Sequence, residues 1–319
     1  MPVVVVTGFL GAGKTTLVRA FLGTEAGRDT AVVVNEFGEV GIDGALLAPA
    51  AGGGVALLGN GCLCCAVRSD LGATFRALFA DRARGAVPPL RRVVLETSGA
   101  DDPAPVLQTF LSDRALAREF HLQAVVAVVD AAAGAANLET APEARRQAAV
   151  ADRIALTKAD LAPAEAVAAR LRAVNPHVPI RVAEHGRVEP GFLLEEGTLP
   201  QAGPLAAEAV GHAPGLATFT LAFGGRAFAW RALSAALTLL TELRGADLLR
   251  VKGLAAVEGC RGPVVVHAVQ HVLHPPMELE AWPDDDRRTR LVFVTRGGLG
   301  RGPVEDVFRA VRGLAPLPP

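Results

Sequence analysis

Eight residues near the start, Gly8-Phe9-Leu10-Gly11-Ala12-Gly13-Lys14-Thr15, form a G-x-x-x-x-G-K-T loop that leaves the chain few folds to choose from. Such a loop works only where a buried strand runs into it and a helix runs out, so that backbone N–H groups and the helix N-terminus converge on one anion. Both flanks are present. Val3 to Val6 is an unbroken β-branched run, as expected of a strand buried on both faces, and Lys14 to Leu22 reads as the start of a helix. In that setting Gly8, Gly11, Ala12 and Gly13 cradle the phosphates of a nucleoside triphosphate and Thr16 extends the cradle. Lys14 reaches the β- and γ-phosphates, and Thr15 offers its hydroxyl to Mg2+.

The rest of the first half repeats one pattern, a short apolar strand that ends in polar residues. Thr30 to Val34 runs into the glycine-punctuated loop Asn35 to Asp43, where a nucleotide-switch protein is expected to place its switch. Val93-Val94-Leu95 ends in Glu96-Thr97-Ser98-Gly99, Leu122 to Val129 ends at Asp130, Ile154 to Leu156 ends in Thr157-Lys158-Ala159-Asp160, and Ile180 to Ala183 ends near Glu184-His185-Gly186. Open α/β sheets place their ligands at these carboxyl ends. The fold class expected is α/β: a P-loop NTPase domain with a mostly parallel sheet over residues 1–190, a linker over 191–214, and a smaller α+β C-terminal domain over 215–319. The second domain follows from a change of pattern. Leu216 to Phe223, Leu248 to Val257, Pro263 to Leu273 and Arg290 to Thr295 read as strands, joined by a helical stripe at Trp230, Leu233, Leu237 and Leu240 and closed by a helix over Val304 to Val311.

Three clusters carry the chemistry. Thr157-Lys158-Ala159-Asp160 points to guanine, because the Asp160 carboxylate can accept from guanine N1 and the exocyclic amine, a pattern that adenine does not offer. Lys158 is expected along the base plane. Thr157 stands where the usual motif has Asn, which removes one side-chain amide bond. Glu96 is expected to meet Mg2+ through water and Gly99 to sense the γ-phosphate, so that Lys14, Glu96 and Gly99 are the catalytic candidates. Residue 100 is alanine, where small signalling GTPases hold a water-orienting glutamine, and slow hydrolysis follows. Cys62, Cys64 and Cys65 present three thiols within four residues, a set that suits zinc or copper(I); the same thiols near Arg68 would also serve redox chemistry. Glu36, Glu39, a histidine or water could supply a fourth ligand. Cys260 stands alone. His267, His271 and His274 fall in one expected strand, with His267 and His271 on a shared face, and Asp284-Asp285-Asp286 reads as a solvated turn.

Bulk properties narrow the partners. Lys plus Arg total 32 against 33 for Asp plus Glu, a formal net charge of -1, which favours neither nucleic acid nor a membrane surface. No apolar run approaches the roughly 18 residues of a membrane span. A chain that starts directly on its first strand and clusters its cysteines is expected in the cytoplasm.

Taken in order, the phosphate loop, the Asn-Glu-Phe-Gly loop, Gly-Cys-x-Cys-Cys, Glu-Thr-Ser-Gly and Thr-Lys-x-Asp closely resemble the CobW-like GTPases, relatives of the nickel-insertion GTPases for urease and hydrogenase. Leu248 to Gly253 and Val269-Gln270-His271-Val272 look like that family's C-terminal domain, so the resemblance covers nearly the whole chain. It implies a GTPase that carries Zn2+, Co2+ or a similar metal on the cysteine motif and delivers it to a client metalloprotein. The chain departs from some members in lacking a histidine-rich stretch. A nucleotide-gated metal sensor with little turnover is the alternative; a phosphate-loop kinase would leave Thr-Lys-x-Asp and the cysteines without a role.

Overall fold

The computed structural model describes residues 1–35, 71–87, 89–176, 178–195, 211–213, 215–273 and 276–313. They divide into two compact units, Met1–Leu171 with Val178–Thr198, and Arg172–His177 with Leu199–Pro319. Six strands of the first unit, β1 (Pro2–Thr7), β2 (Thr30–Asn35), β3 (Arg92–Thr97), β4 (His121–Asp130), β5 (Arg153–Thr157) and β6 (Ile180–Ala183), form one sheet in the order β2-β3-β1-β4-β5-β6. Every pairing is parallel. Parallel neighbours need crossovers, and the described helices lie between the strands in the chain: α1 (Lys14–Leu22), α2 (Leu71–Ala83), α3 (Ala104–Ser112), α4 (Arg114–Glu119), α5 (Gly134–Thr140), α6 (Pro142–Val150), α7 (Ala164–Val174) and the short α8 (Pro190–Leu194). Val3 to Val6 are each at most 1% exposed, so both faces of β1 are covered, as its β-branched run requires.

α1 forms because its apolar residues fall on one face. Leu17, Val18, Phe21 and Leu22 are buried against Val4, Val6, Val32 and Val34 of the sheet, and Gly23 ends the helix with its N–H on the carbonyl of Arg19. Burying a side chain such as Leu17 stabilises the unit by about 1.5–3 kcal/mol. The sheet order then creates the site. β1 lies between β3 and β4, so the direction of winding reverses at its carboxyl end, where open α/β sheets leave a crevice. Register brings the polar strand ends level: Val6 pairs with Glu96, Thr7 with Ala127, and Asp130 with Thr157.

At the other end of the strands, Arg153 of β5 is 1% exposed. Its guanidinium donates to the carbonyl of Glu195 at 2.7 Å and lies 3.8 Å from that residue's carboxylate, while Gln123 of β4 donates to the carbonyl of Leu194. Burial lowers the Arg153 pKa, with Asp152 and Glu195 opposing.

The second unit is antiparallel. β7 (Gly211–Ala213), β8 (Leu216–Phe223), β9 (Leu248–Ala255), β10 (Val264–Val269), β11 (Val272–Leu273) and β13 (Thr289–Arg296) order as β11-β10-β9-β13-β8-β7, and β12 (Met277–Glu278) pairs with β10. Val264, Val266 and Ala268 of β10 alternate into a core with Phe219, Phe293 and residues of α9 (Trp230–Arg244) and α10 (Arg301–Gly313). The stretch expected as a linker overlaps α8 and contains β7.

Two expectations are corrected here. Pro263 to Leu273 is a hairpin and not one strand: the chain reverses at Gln270, which has a φ of 49°. His267 therefore lies in β10 while His271 sits in the turn, its Nδ1 3.0 Å from the carbonyl of Thr241, and the two share no strand face; His274 lies outside the described residues. The run Asp284 to Asp286 is not simply solvated. Asp284 and Asp286 flank Arg290, which is 3% exposed, at 3.0 and 3.6 Å, and hydrogen bonds from Arg288 outweigh burial to hold the Asp286 pKa at about 2. Among the described residues no helix is long and apolar enough to cross a membrane.

Candidate functional site

The crevice at the end of β1 is lined by backbone first. A Cβ at Gly8 would stand 2.2 Å from the carbonyl oxygen of Val128 on β4, so the loop leaves the strand through a space that only glycine fits. Gly13 caps α1 with a left-handed φ of 94°; no side chain caps this helix and no acidic residue occupies its first turn, which leaves the helix N-terminus open to an anion. Ala12 N–H closes the loop on the carbonyl of Phe9 at 3.1 Å. Lys14 Nζ lies over the loop, donating to the carbonyl of Gly8 at 3.0 Å. Thr16 is exposed in the first turn of α1, beside a cleft of about 620 Å3 that Arg19, Phe21, His185 and Arg187 also line. The turn after β6 meets it closely: a Cβ at Gly186 would come within 2.8 Å of the Thr16 carbonyl oxygen.

β3 delivers the second element. Glu96 is 2% exposed, and its Oε1 accepts from Thr15 Oγ1 at 2.6 Å, so the two sequence-predicted oxygen donors for Mg2+ stand together. Thr97 Oγ1 donates to Thr7 Oγ1 at 2.9 Å and ties the ends of β3 and β1. Gly99 packs on the loop itself: a Cβ there would stand 2.8 Å from Leu10 N and 2.9 Å from Leu10 Cα. Next to it, burial and the neighbouring Asp102 raise the Asp101 pKa, and Lys14 partly offsets them. Gln147 of α6, which the sequence did not single out, donates to the carbonyls of Gly99 at 3.2 Å and Asp101 at 3.0 Å.

β5 delivers the third. The Thr157 hydroxyl reaches the carbonyls of Ala12 at 2.7 Å and Val129 at 3.2 Å, so the loop expected to read the base is bonded to the phosphate loop. Lys158, in a left-handed conformation with φ 55°, places Nζ 2.5 Å from Asp130 Oδ2. Asp130 is 5% exposed; burial would raise its pKa, but Lys158 and the N–H groups of Ala133 and Ala132 together lower it. Asp160 is exposed in the turn that follows. The structure thus brings Lys14, Thr15, Glu96, Gly99 and Thr157 around one crevice. Cys62, Cys64, Cys65, Glu36 and Glu39 lie outside the described residues, and among the described residues no group of three or more His, Cys, Asp or Glu could hold a metal ion.

Comparison with known proteins adds the context. Residues 2–181 match the family described as CobW/HypB/UreG, nucleotide-binding domain, and residues 217–312 match the cobalamin synthesis protein cobW C-terminal domain. The chain is similar to the zinc chaperone YjiA of Escherichia coli, 38% identical over 205 residues that make up 62% of this chain and 64% of that one, so the match spans just under two thirds of that relative's length. With the zinc chaperone CobW of Pseudomonas aeruginosa it shares 35% identity over 342 residues, covering 92% of this chain and 87% of the relative. The crystal structure of the Zn(II)-bound YjiA GTPase from Escherichia coli resembles it with a TM-score of 0.70 at 25% identity, over 98% of this chain and 99% of that one.

Proposed function

Because the chain belongs to the CobW/HypB/UreG family, we propose that it is a GTP-hydrolysing zinc chaperone that hands its metal to a client protein. GTP and GDP occupy the crevice at the end of β1. Gly8, Gly11, Ala12, Gly13, Thr15 and Thr16 receive the phosphates, Lys14 exchanges the Gly8 carbonyl for the β- and γ-phosphate oxygens, and Thr157, Lys158 and Asp160 take the guanine side. The observation that carries the reading is the 2.6 Å contact of Thr15 with Glu96 beside the phosphate loop. Two hard oxygen donors so placed suit Mg2+ and not a thiophilic ion. Thr15 and Glu96 would hold Mg2+, Glu96 through water, and the bound ion neutralises charge on the β- and γ-phosphate oxygens.

The chain's own groups do the rest. Lys14 carries positive charge to the developing phosphate charge, and Gly99 donates its N–H toward the γ-phosphate. Ala100 has no group with which to orient water, so turnover is slow. Zinc is the cargo, held on Cys62, Cys64 and Cys65 with Glu36 or Glu39 as the candidate fourth ligand; Co2+ competes for the same thiolates. We place the protein in the cytoplasm, where closely spaced thiols stay reduced.

Phosphate release from GTP, with and without Mg2+, tests the first half. The native chain is expected to release phosphate slowly and only with Mg2+, and Lys14→Ala to lose triphosphate binding with an unchanged circular dichroism spectrum. A folded Lys14→Ala that binds GTP normally would remove the phosphate loop from the site. Zinc competition against a chromogenic chelator tests the second half: the native chain is expected to retain zinc and the Cys64→Ala, Cys65→Ala double variant to release it. GTP binding without turnover would make the protein a sensor.

A further inference from the structure

We propose that Gln147 is the positioning residue through which Gly99 tells GTP from GDP; this rests on the reading above, in which the Gly99 N–H meets the γ-phosphate. Gln147 lies in α6 and is 1% exposed. Burying a side-chain amide among residues such as Ala144 and Ala148 costs free energy unless its donors are used. Nε2 donates to Gly99 at 3.2 Å and to Asp101 at 3.0 Å. Both acceptors belong to the segment after β3 and neither to the helix that carries the amide, so the bonds tie that segment to α6.

The bonds act on the atoms that matter. A peptide unit is planar, so fixing a carbonyl fixes the whole unit. The unit that follows Gly99 is held at its oxygen by Gln147 and at its N–H, that of Ala100, by Ser98 Oγ at 3.3 Å. The Ser98 side chain, which accepts that bond, ties the unit back across Gly99 to the residue before it. Gly99, whose two dihedrals would otherwise turn freely, is bridged by that Ser98 bond and held at its own carbonyl, and it packs against Leu10 of the phosphate loop, where an added Cβ would stand 2.8 Å from Leu10 N. Its N–H is therefore aimed before any nucleotide arrives. Preorganised donors of this kind contribute more than donors that must be ordered on binding. GDP has no γ-phosphate to meet, so its affinity does not depend on that aim.

The test is binding of GDP and of guanylyl imidodiphosphate, a non-hydrolysable GTP analogue, by calorimetry, with GTP turnover measured alongside. Gln147→Leu keeps the volume and removes both donors. It is expected to lose about tenfold in affinity for the analogue, the factor that 1.4 kcal/mol represents at 25 °C, with a matching fall in kcat/KM and GDP affinity unmoved. A merely structural role would move both nucleotides equally; equal losses, or no loss, overturn the inference. If Gln147→Leu does not fold, Gln147→Glu replaces it: it keeps the shape but has at most one proton to donate, and the same selective loss is required. Gly99→Ala is measured in parallel. If it loses the analogue selectively and the Gln147 variants do not, the positioning role is refuted while Gly99 keeps its own. If no variant loses it, the reading of Gly99 fails and the inference fails with it.

Discussion

Thr157→Val isolates the bond between the two loops, since it keeps the shape of a side chain that is 5% exposed and removes only the hydroxyl. A hydroxyl has one proton, and the 2.7 Å contact to Ala12 takes it in preference to the 3.2 Å contact to Val129. The substitution therefore leaves the Ala12 carbonyl without its donor in a buried place, a loss of about 1–3 kcal/mol. In a unit of this size that is a fall of about 2–12 °C in the transition temperature. The transition to follow is the one that GDP shifts upward, because ligand binding identifies the unit that binds. Since the bond ends on the phosphate loop and not on the base, GTP and GDP affinities are expected to fall together while the preference over ATP holds. Thr157→Asn, which restores a donor, is expected to recover most of the loss. A Thr157→Val protein with native melting and native GDP affinity would refute the argument.

Three further outcomes are expected. Asp160→Asn removes one of two acceptors facing guanine and should narrow the preference for GTP over ATP by about 1–3 kcal/mol, read by competition binding; an unchanged ratio sinks the base assignment. Zinc affinity should differ between the GDP form and the GTP-analogue form by about 1–3 kcal/mol in a chelator competition, because Cys62, Cys64 and Cys65 stand in the chain between the Asn35 to Asp43 loop and Glu96 to Gly99; equal affinities would leave a static site. Asp286, with its pKa held at about 2, contributes stability that is complete above its ordinary value near 4 and lost as pH falls toward 2. The gap in urea midpoint between the native chain and Asp286→Asn is therefore expected to close over that interval, and a gap independent of pH would contradict it.

Much of the first unit was legible because parallel strands buried on both faces must be apolar without alternation, and Val3 to Val6, Val93 to Leu95 and Ile154 to Leu156 carry that signature. Their polar ends named the crevice. Helices rich in alanine were harder, since alanine marks neither face; in Ala-Arg-Arg-Gln-Ala-Ala-Val the glutamine looks like a solvated position, yet Gln147 is buried to 1%. Asp130 was visible as a strand end, but its pairing with Lys158 depends on the register of β4 with β5, which no local pattern encodes. The reversal at Gln270 went unseen because it uses a left-handed glutamine and neither glycine nor asparagine.

The carbonyls of Leu194 and Glu195 are held by Gln123 of β4 and Arg153 of β5, two neighbouring strands of the nucleotide sheet. In mechanical terms those two bonds rivet the end of α8 to the sheet. Both bonds have to break before the short α8 can peel away from β4 and β5. The same two strands end at Asp130 and at Thr157, so the riveted end and the base-side loop belong to one pair of strands.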